Sequence, residues 1–143
     1  MDGVVARKRL NRNQCRRLRM MKLKYILIVF LGGGTGSSLR YLLSSWLKPM
    51  AILYPLGTFF ANTLGCLLLG LFFGWLSKEP PMKEEMMLLL LVGFCGGLTT
   101  FSSFTFELIQ LSKTGQFVPA LIYATVSLCT GLLAILAGLW IIR

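Results

Sequence analysis

The segment Gly96–Phe104 reads GGLTTFSSF, and it lies inside an uncharged run from Met86 to Phe106. A run of that length indicates a membrane span, since about 20 apolar residues cross the hydrocarbon core of a bilayer. The paired glycines, threonines and serines are unsuited to a simple anchor, because such backbone is tolerated at membrane depth only where it is buried in protein or lines a cavity. Broken membrane helices are a typical place for ions to bind. The segment therefore predicts a helix break and the movement of an ion or small solute.

The composition of the whole chain is that of an integral membrane protein. Its 143 residues are 55% hydrophobic, with a mean hydropathy of +0.71, well above a typical soluble domain. The sequence contains no histidine, and its acidic residues are Asp2, Glu79, Glu84, Glu85 and Glu107. It offers no histidine base, no close carboxylate pair within a span and no cluster of metal-binding side chains, which argues against an enzyme.

Four hydrophobic segments, separated by short breaks that contain prolines or charges, predict four transmembrane helices. Strands are disfavoured because the apolar runs are continuous rather than alternating, and too long for barrel strands. The spacings Gly70-x-x-x-Gly74 and Gly93-x-x-x-Gly97 also predict close contacts between helices. We expect an all-α integral membrane fold in the cell (inner) membrane, with one four-helix unit over 22–143 and spans at about 25–47, 56–76, 86–111 and 117–142.

The first 21 residues form a basic extension that differs from the rest of the chain. A nucleic-acid-binding arm finds no support elsewhere in the sequence, and we expect no nucleic-acid partner. A signal peptide is disfavoured because the apolar run after the basic residues continues through Arg40 to Leu47. Two interpretations of residues 1–21 remain: a disordered tail, or an extension upstream of a true start at Met20 or Met21.

Three polar side chains lie within the predicted spans, and each has two interpretations. Arg40 either extends to the membrane interface or requires a partner or water. Asn62 either bridges helices or donates a hydrogen bond to an anion in a pore. Glu107 either reaches the loop after the third span or faces a polar pathway.

Two further pairs share helix faces. Tyr123 and Ser127 are four residues apart, so they either line a hydroxyl track together or bond back to helix carbonyls. Phe101 and Phe104 are three residues apart, and such a pair usually packs. Because the edge of an aromatic ring is electropositive, the same rings are also able to face a small anion without trapping it.

These features together resemble the Fluc (CrcB) fluoride channels over nearly all of Lys22–Arg143. The resemblance rests on Gly96–Phe104 and on motifs in the first two spans, namely Gly33-Gly34-Thr35-Gly36 with Arg40-Tyr41, and Gly57-Thr58 with Asn62 and Gly65. It implies a fluoride-selective passive channel that exports fluoride and lowers its cytoplasmic concentration. It also implies an antiparallel, dual-topology dimer with two pores.

The resemblance further implies roles for individual residues. The backbone carbonyls of Gly96 and Thr99 would hold a structural sodium ion at the dimer centre, where two copies supply four oxygens. Arg40 and Glu107 would have vestibule or structural roles, and Ser103 stands where the family often has threonine, so that a hydroxyl is retained. The implied pore-lining residues are Asn62, Phe101, Ser102, Ser103, Phe104, Tyr123 and Ser127.

Two other membrane functions remain as alternatives. A small dual-topology multidrug exporter also has four short spans, but it needs an acidic proton carrier deep in its first span, and this first span has none. A non-transporting membrane scaffold leaves the segment Gly96–Phe104 unexplained. The preference for fluoride over chloride rests on the resemblance alone.

The distribution of lysine and arginine bears on orientation, because these residues favour the cytoplasmic side. Counted from Met21, the side with both termini has a small excess: Lys22, Lys24, Lys78, Lys83 and Arg143 against Lys48 and Lys113. That margin leaves room for dual topology. Counted from Met1, the basic extension should fix the termini inside. We therefore expect fluoride, sodium and membrane lipid as partners, together with either a second copy in antiparallel orientation or an oppositely oriented paralogue.

Overall fold

The computed structural model describes residues 12–50, 55–78 and 84–143, which are helical apart from short turns. The α-helices are α1 (Arg12–Leu47), α2 (Leu56–Leu76), α3 (Glu84–Met87), α4 (Gly96–Leu98), α5 (Phe101–Lys113) and α6 (Phe117–Ile142). A π-helical segment, Leu88–Cys95, joins α3 to α4, and a 3-10 turn, Lys48–Met50, follows α1. Within the described residues, four stretches are long and apolar enough to cross a membrane: Met20–Leu47, Leu56–Leu76, Glu84–Lys113 and Phe117–Ile142. The prediction of an all-α fold with four spans is therefore confirmed.

The predicted boundary between the basic extension and the membrane unit falls inside α1. This helix begins at Arg12 and continues through Met20 and Met21 without interruption. Residues 1–11 of the extension lie outside the described part of the chain, so the division into 1–21 and 22–143 stays a prediction.

The four spans pack through glycines. α2 lies along α6, and α1 lies along the π-helical segment. A Cβ placed on Gly70 would be 3.2 Å from the Cα of Gly138, and one on Gly32 would be 3.1 Å from the Cα of Gly93. Helix backbones therefore approach each other closely at both places, as the small-residue spacings around Gly70 and Gly93 predict.

A tight helix ending connects the third span to the fourth. Gly115 has φ 78°, a left-handed conformation that glycine adopts without steric cost. Its N–H donates to the Ser112 carbonyl, and the N–H of Gln116 donates to that of Leu111. These two bonds form a Schellman ending, which turns the chain so that α6 starts at once and runs back alongside α5.

Candidate functional site

The third span is interrupted after Leu98, as the sequence predicts. Thr99 and Thr100 have extended backbone conformations, with φ/ψ of −83°/151° and −148°/118°, and α5 begins at Phe101. The hydroxyl of Thr100 caps α5 by accepting a hydrogen bond from the N–H of Ser103 at 3.2 Å. Threonine is a favoured residue at this position because its oxygen satisfies one of the amides that open a helix. The Thr-Thr pair therefore ends one helix and starts the next.

Asn62 on α2 supports the break from the side. Its Oδ1 accepts a hydrogen bond from the Thr100 N–H at 2.7 Å, and its Nδ2 donates to the Thr100 carbonyl at 3.1 Å. Both polar groups of the Thr100 backbone are thereby paired with one side chain. Asn62 thus bridges two spans, and its predicted role in a pore stays a prediction.

The break redirects the amides that a continuous helix would aim at Gly96 and Thr99. In a regular α-helix, the N–H of Thr100 would donate to the Gly96 carbonyl, and that of Ser103 would donate to the Thr99 carbonyl. Here these amides donate to the side chains of Asn62 and Thr100 instead. The two carbonyls assigned to sodium by resemblance are therefore among those that the break leaves without their usual helical donors.

Helix α1 fixes the other side of the break. Ser37 Oγ donates to the Gly97 carbonyl at 3.3 Å. A Cβ on Gly97 would come within 3.0 Å of the Gly33 Cα, so the two backbones are in close contact. Gly97 thus gives α1 direct access to the backbone of the third span.

A groove of about 340 Å³ opens beside the break. It brings together many of the predicted site residues, although they come from three different spans. The residues that line it are Asn62, Cys66, Leu69, Thr99, Thr100, Phe101, Phe104, Ser127, Leu128, Gly131, Leu132 and Ile135. Sequence analysis did not include Cys66 or Thr100 in the pathway, since a cysteine in an apolar helix and a capping threonine give no signal of their own.

The two phenylalanines take different positions in this groove. Phe101 is 73% exposed, whereas Phe104 is 6% exposed. Their ring centroids are 5.9 Å apart, and the planes are inclined by 44°. Phe104 also contacts the ring of Tyr123, at a centroid distance of 5.4 Å. The inner ring is therefore fixed by packing, and the outer ring stands at the open side of the groove.

The predicted hydroxyl residues divide between the groove and its surroundings. Ser127 lines the groove, and its Oγ is buried without a hydrogen-bond partner among the described residues. Ser102 and Ser103 are not part of the groove lining, and their hydroxyls lie 3.1 and 3.2 Å from the hydroxyl of Thr100, which caps α5. Tyr123 lines a neighbouring cavity together with Leu56, Phe59, Ile122 and Val126.

Glu107 is held by two hydroxyl groups from other helices. Thr58 Oγ1 donates to its Oε1 at 2.5 Å, and the Tyr123 hydroxyl donates to its Oε2 at 2.9 Å. Both donors are buried. The carboxylate thus links α2, α5 and α6 next to the inner ring of Phe104, an arrangement that the sequence analysis did not foresee because Thr58 lies in a different span.

Arg40 is half-buried. Its Nε is buried and has no hydrogen-bond partner among the described residues. Arg40 is also absent from the lining of the groove. Its assignment to a vestibule therefore stays a prediction.

Comparison with known proteins gives concordant results. The family model described as CrcB-like protein, camphor resistance (CrcB), matches residues 27–139. A protein of Phocaeicola vulgatus named fluoride-specific ion channel FluC is 42% identical over 119 residues, which cover 82% of this chain and 98% of the relative. Proteins with the same name from Flavobacterium psychrophilum and Escherichia fergusonii are 43% and 40% identical, over 85% and 83% of this chain and over 98% and 94% of their own lengths.

Proposed function

Because this chain belongs to the CrcB family, we propose that it is a fluoride-selective passive ion channel that exports fluoride and so lowers its cytoplasmic concentration. It is a multi-pass membrane protein, and its family is one of ion channels rather than enzymes. The observation that carries the proposal is the groove in which Asn62, Phe101, Phe104 and Ser127 meet beside the helix break. This groove joins weak and neutral hydrogen-bond donors to aromatic rings, without a lysine or arginine in its lining.

The chemistry of the groove suits a small, strongly hydrated anion. Such an anion moves only where donors replace its water, and it moves quickly only where no strong charge traps it. The Ser127 hydroxyl is a donor without a protein partner among the described residues. Asn62 uses one N–H of its amide on Thr100, and an amide nitrogen carries two. The electropositive edges of Phe101 and Phe104 supply further, weaker attraction.

A structural sodium ion is the second part of the proposal. The donor set fits a hard cation, because the carbonyls of Gly96 and Thr99 are backbone oxygens whose helical amides are directed elsewhere. No group of three or more His, Cys, Asp or Glu side chains suited to a metal occurs among residues 12–50, 55–78 and 84–143, so backbone oxygens would have to serve. When bound, the ion would fix the two helix breaks of a dimer relative to each other.

The proposed assembly is an antiparallel dimer, formed by a second copy or by an oppositely oriented paralogue. The groove supports this dimer, because in a single subunit Phe101 is exposed and the groove is open along one side. A second subunit would close that side and would bring a second set of carbonyls to the break.

Fluoride efflux from proteoliposomes tests the proposed function. Vesicles that contain the purified protein and are loaded with potassium fluoride should release fluoride rapidly once a potassium ionophore is added, because the outflow of potassium balances the charge of the fluoride that leaves. Vesicles loaded with potassium chloride should retain their chloride. Equal release of both anions would contradict selectivity. If the protein retains its helical content by circular dichroism and the vesicles release neither fluoride nor chloride, a non-transporting membrane scaffold would be the better explanation.

A further inference from the structure

One end of the helix bundle gathers most of the positive charge of the described chain. The contact between Tyr25 and Glu84 places the membrane-spanning part of α1 beside the start of α3, and the contact between Lys78 and Arg143 places the end of α2 beside that of α6. The basic residues of this end, here called the basic face, are Arg12, Arg16, Arg17, Arg19, Lys22, Lys24, Lys78 and Arg143. We propose that the basic face binds the headgroups of anionic phospholipids.

The length of α1 sets the position of these cations. Its 36 residues rise about 54 Å at 1.5 Å per residue, whereas the hydrocarbon core is about 30 Å thick. The stretch from Tyr25 to Leu47 already spans that core. Residues 12–24 therefore continue the same helix for about 18 Å through the headgroup layer and beyond. A continuous helix holds their charge next to the membrane.

At this end of the bundle, the carboxylates of Glu84 and Glu85 already contact side chains of α1. Lys24 Nζ lies 2.5 Å from Glu85 Oε1, and the Tyr25 hydroxyl donates to Glu84 Oε2 at 2.9 Å. By contrast, Lys22 is exposed, and Lys78 donates to a backbone carbonyl, that of Arg143, at 3.2 Å. Glu84 and Glu85 are thus both engaged within the bundle, which leaves the exposed Lys22 available to an outside anion.

Two tryptophans indicate that the basic face lies at the level of the lipid headgroups. Trp75 and Trp140 are exposed near the ends of α2 and α6, and tryptophan is enriched at the level of lipid headgroups. Their position favours a lipid over a nucleic acid as the anion, since residues at the level of the headgroups lie within reach of lipid phosphates. Each cation near an anionic membrane surface strengthens binding by about fivefold.

The three tryptophans of the chain allow a direct test, because Trp46 lies at the opposite end, near Lys48 and Lys113. Trp46→Phe leaves only the reporters of the basic face, and the double variant W75F/W140F leaves only the reporter of the other end. Each protein is placed in phosphatidylcholine vesicles with a small fraction of brominated phosphatidylglycerol or of brominated phosphatidylcholine. Fluorescence quenching then compares the two lipids at each end of the bundle, whichever way the protein inserts.

We expect brominated phosphatidylglycerol to be favoured at least about twofold at the basic face and not at the other end. In protein that is expressed with residues 1–21 retained, replacing Arg12, Arg16, Arg17 and Arg19 with glutamine, or adding 0.5 M salt, should abolish the preference. K22Q/K78Q should weaken it, whereas the matched pair K48Q/K113Q should leave it unchanged. Equal quenching at both ends, or a preference that survives the arginine replacements, would overturn the proposal. Binding of an RNA oligonucleotide without lipid preference would overturn it as well, in favour of a nucleic-acid ligand.

Discussion

Asn62 and Thr100 pair side chain to backbone across two membrane spans: Thr100 N–H donates to Asn62 Oδ1 at 2.7 Å, and Asn62 Nδ2 returns a bond to the Thr100 carbonyl at 3.1 Å. Thr100 is buried at the break, so water has little access to these two bonds. The side chain of Asn62 therefore stabilises the interruption in the third span and also lines the groove beside it.

The first prediction concerns this pair. Asn62→Ala should destabilise the protein by about 1–3 kcal/mol, because a buried backbone amide loses its acceptor. Asn62→Asp should be milder at low pH, where its protonated carboxyl accepts from the Thr100 N–H and donates to the Thr100 carbonyl, than at neutral pH, where a carboxylate would lie against that carbonyl. Thermal unfolding of the purified variants in detergent measures both effects. Equal stability of N62A and the parent protein would mean that the break does not depend on Asn62.

The second prediction concerns the two rings. Phe101→Ile and Phe104→Ile retain bulk but remove the aromatic quadrupole, and either change should slow fluoride efflux about tenfold if the ring edges contribute about 1.4 kcal/mol. Phe106→Ile is the matched control, because Phe106 lies on the same helix, is exposed and does not line the groove. Unaltered efflux in both F101I and F104I would show that the rings only pack.

The third prediction separates two neighbouring serines. Ser37 Oγ donates to the Gly97 carbonyl on the third span, whereas Ser38 Oγ donates at 2.8 Å to Gly34 within its own helix. If sodium lies at the carbonyls of Gly96 and Thr99, Ser37→Ala should raise the sodium concentration for half-maximal fluoride efflux about fivefold, as expected for one lost hydrogen bond. Ser38→Ala should leave that concentration unchanged. Efflux that is independent of sodium in the parent protein would contradict the sodium site itself.

The fourth prediction concerns Glu107. Glu107→Leu should lower the free energy of unfolding by about 1–3 kcal/mol for each hydroxyl left without an acceptor, namely those of Thr58 and Tyr123. Glu107→Gln should be milder, because its amide oxygen accepts one bond and its nitrogen donates to the other hydroxyl. Chemical unfolding followed by tryptophan fluorescence compares them. A leucine variant as stable as the glutamine variant would show that neither hydrogen bond contributes to stability.

The fifth prediction concerns orientation. A chain translated from Met1 should insert with both termini inside, because its basic extension outweighs Lys48 and Lys113 on the other side. We therefore expect either translation from Met20 or Met21, or an oppositely oriented paralogue. Sequencing the mature N-terminus and fusing a topology reporter to the C-terminus decide between them. A Met1 start, dual orientation and fluoride transport without a partner, found together, would refute this prediction.

The sequence by itself determined the number of spans and the place of the break. An apolar run of more than 20 residues is typical of a membrane span, so α2 and α6 are predicted by hydropathy alone. The break follows from local chemistry, because threonine competes for backbone hydrogen bonds and caps a helix from its own position. Phe101 and Phe104 were placed on one face by their spacing, and they do share one groove.

Only the tertiary structure decided which distant groups meet. Asn62 meets Thr100, and Thr58 meets Glu107, across separations of 38 and 49 residues that no helical periodicity relates. The different burial of Phe101 and Phe104 likewise depends on where α6 packs, since both residues look alike within their own helix. Local sequence fixes the conformation of each segment, whereas the partner of a buried polar group depends on how glycine contacts align neighbouring helices.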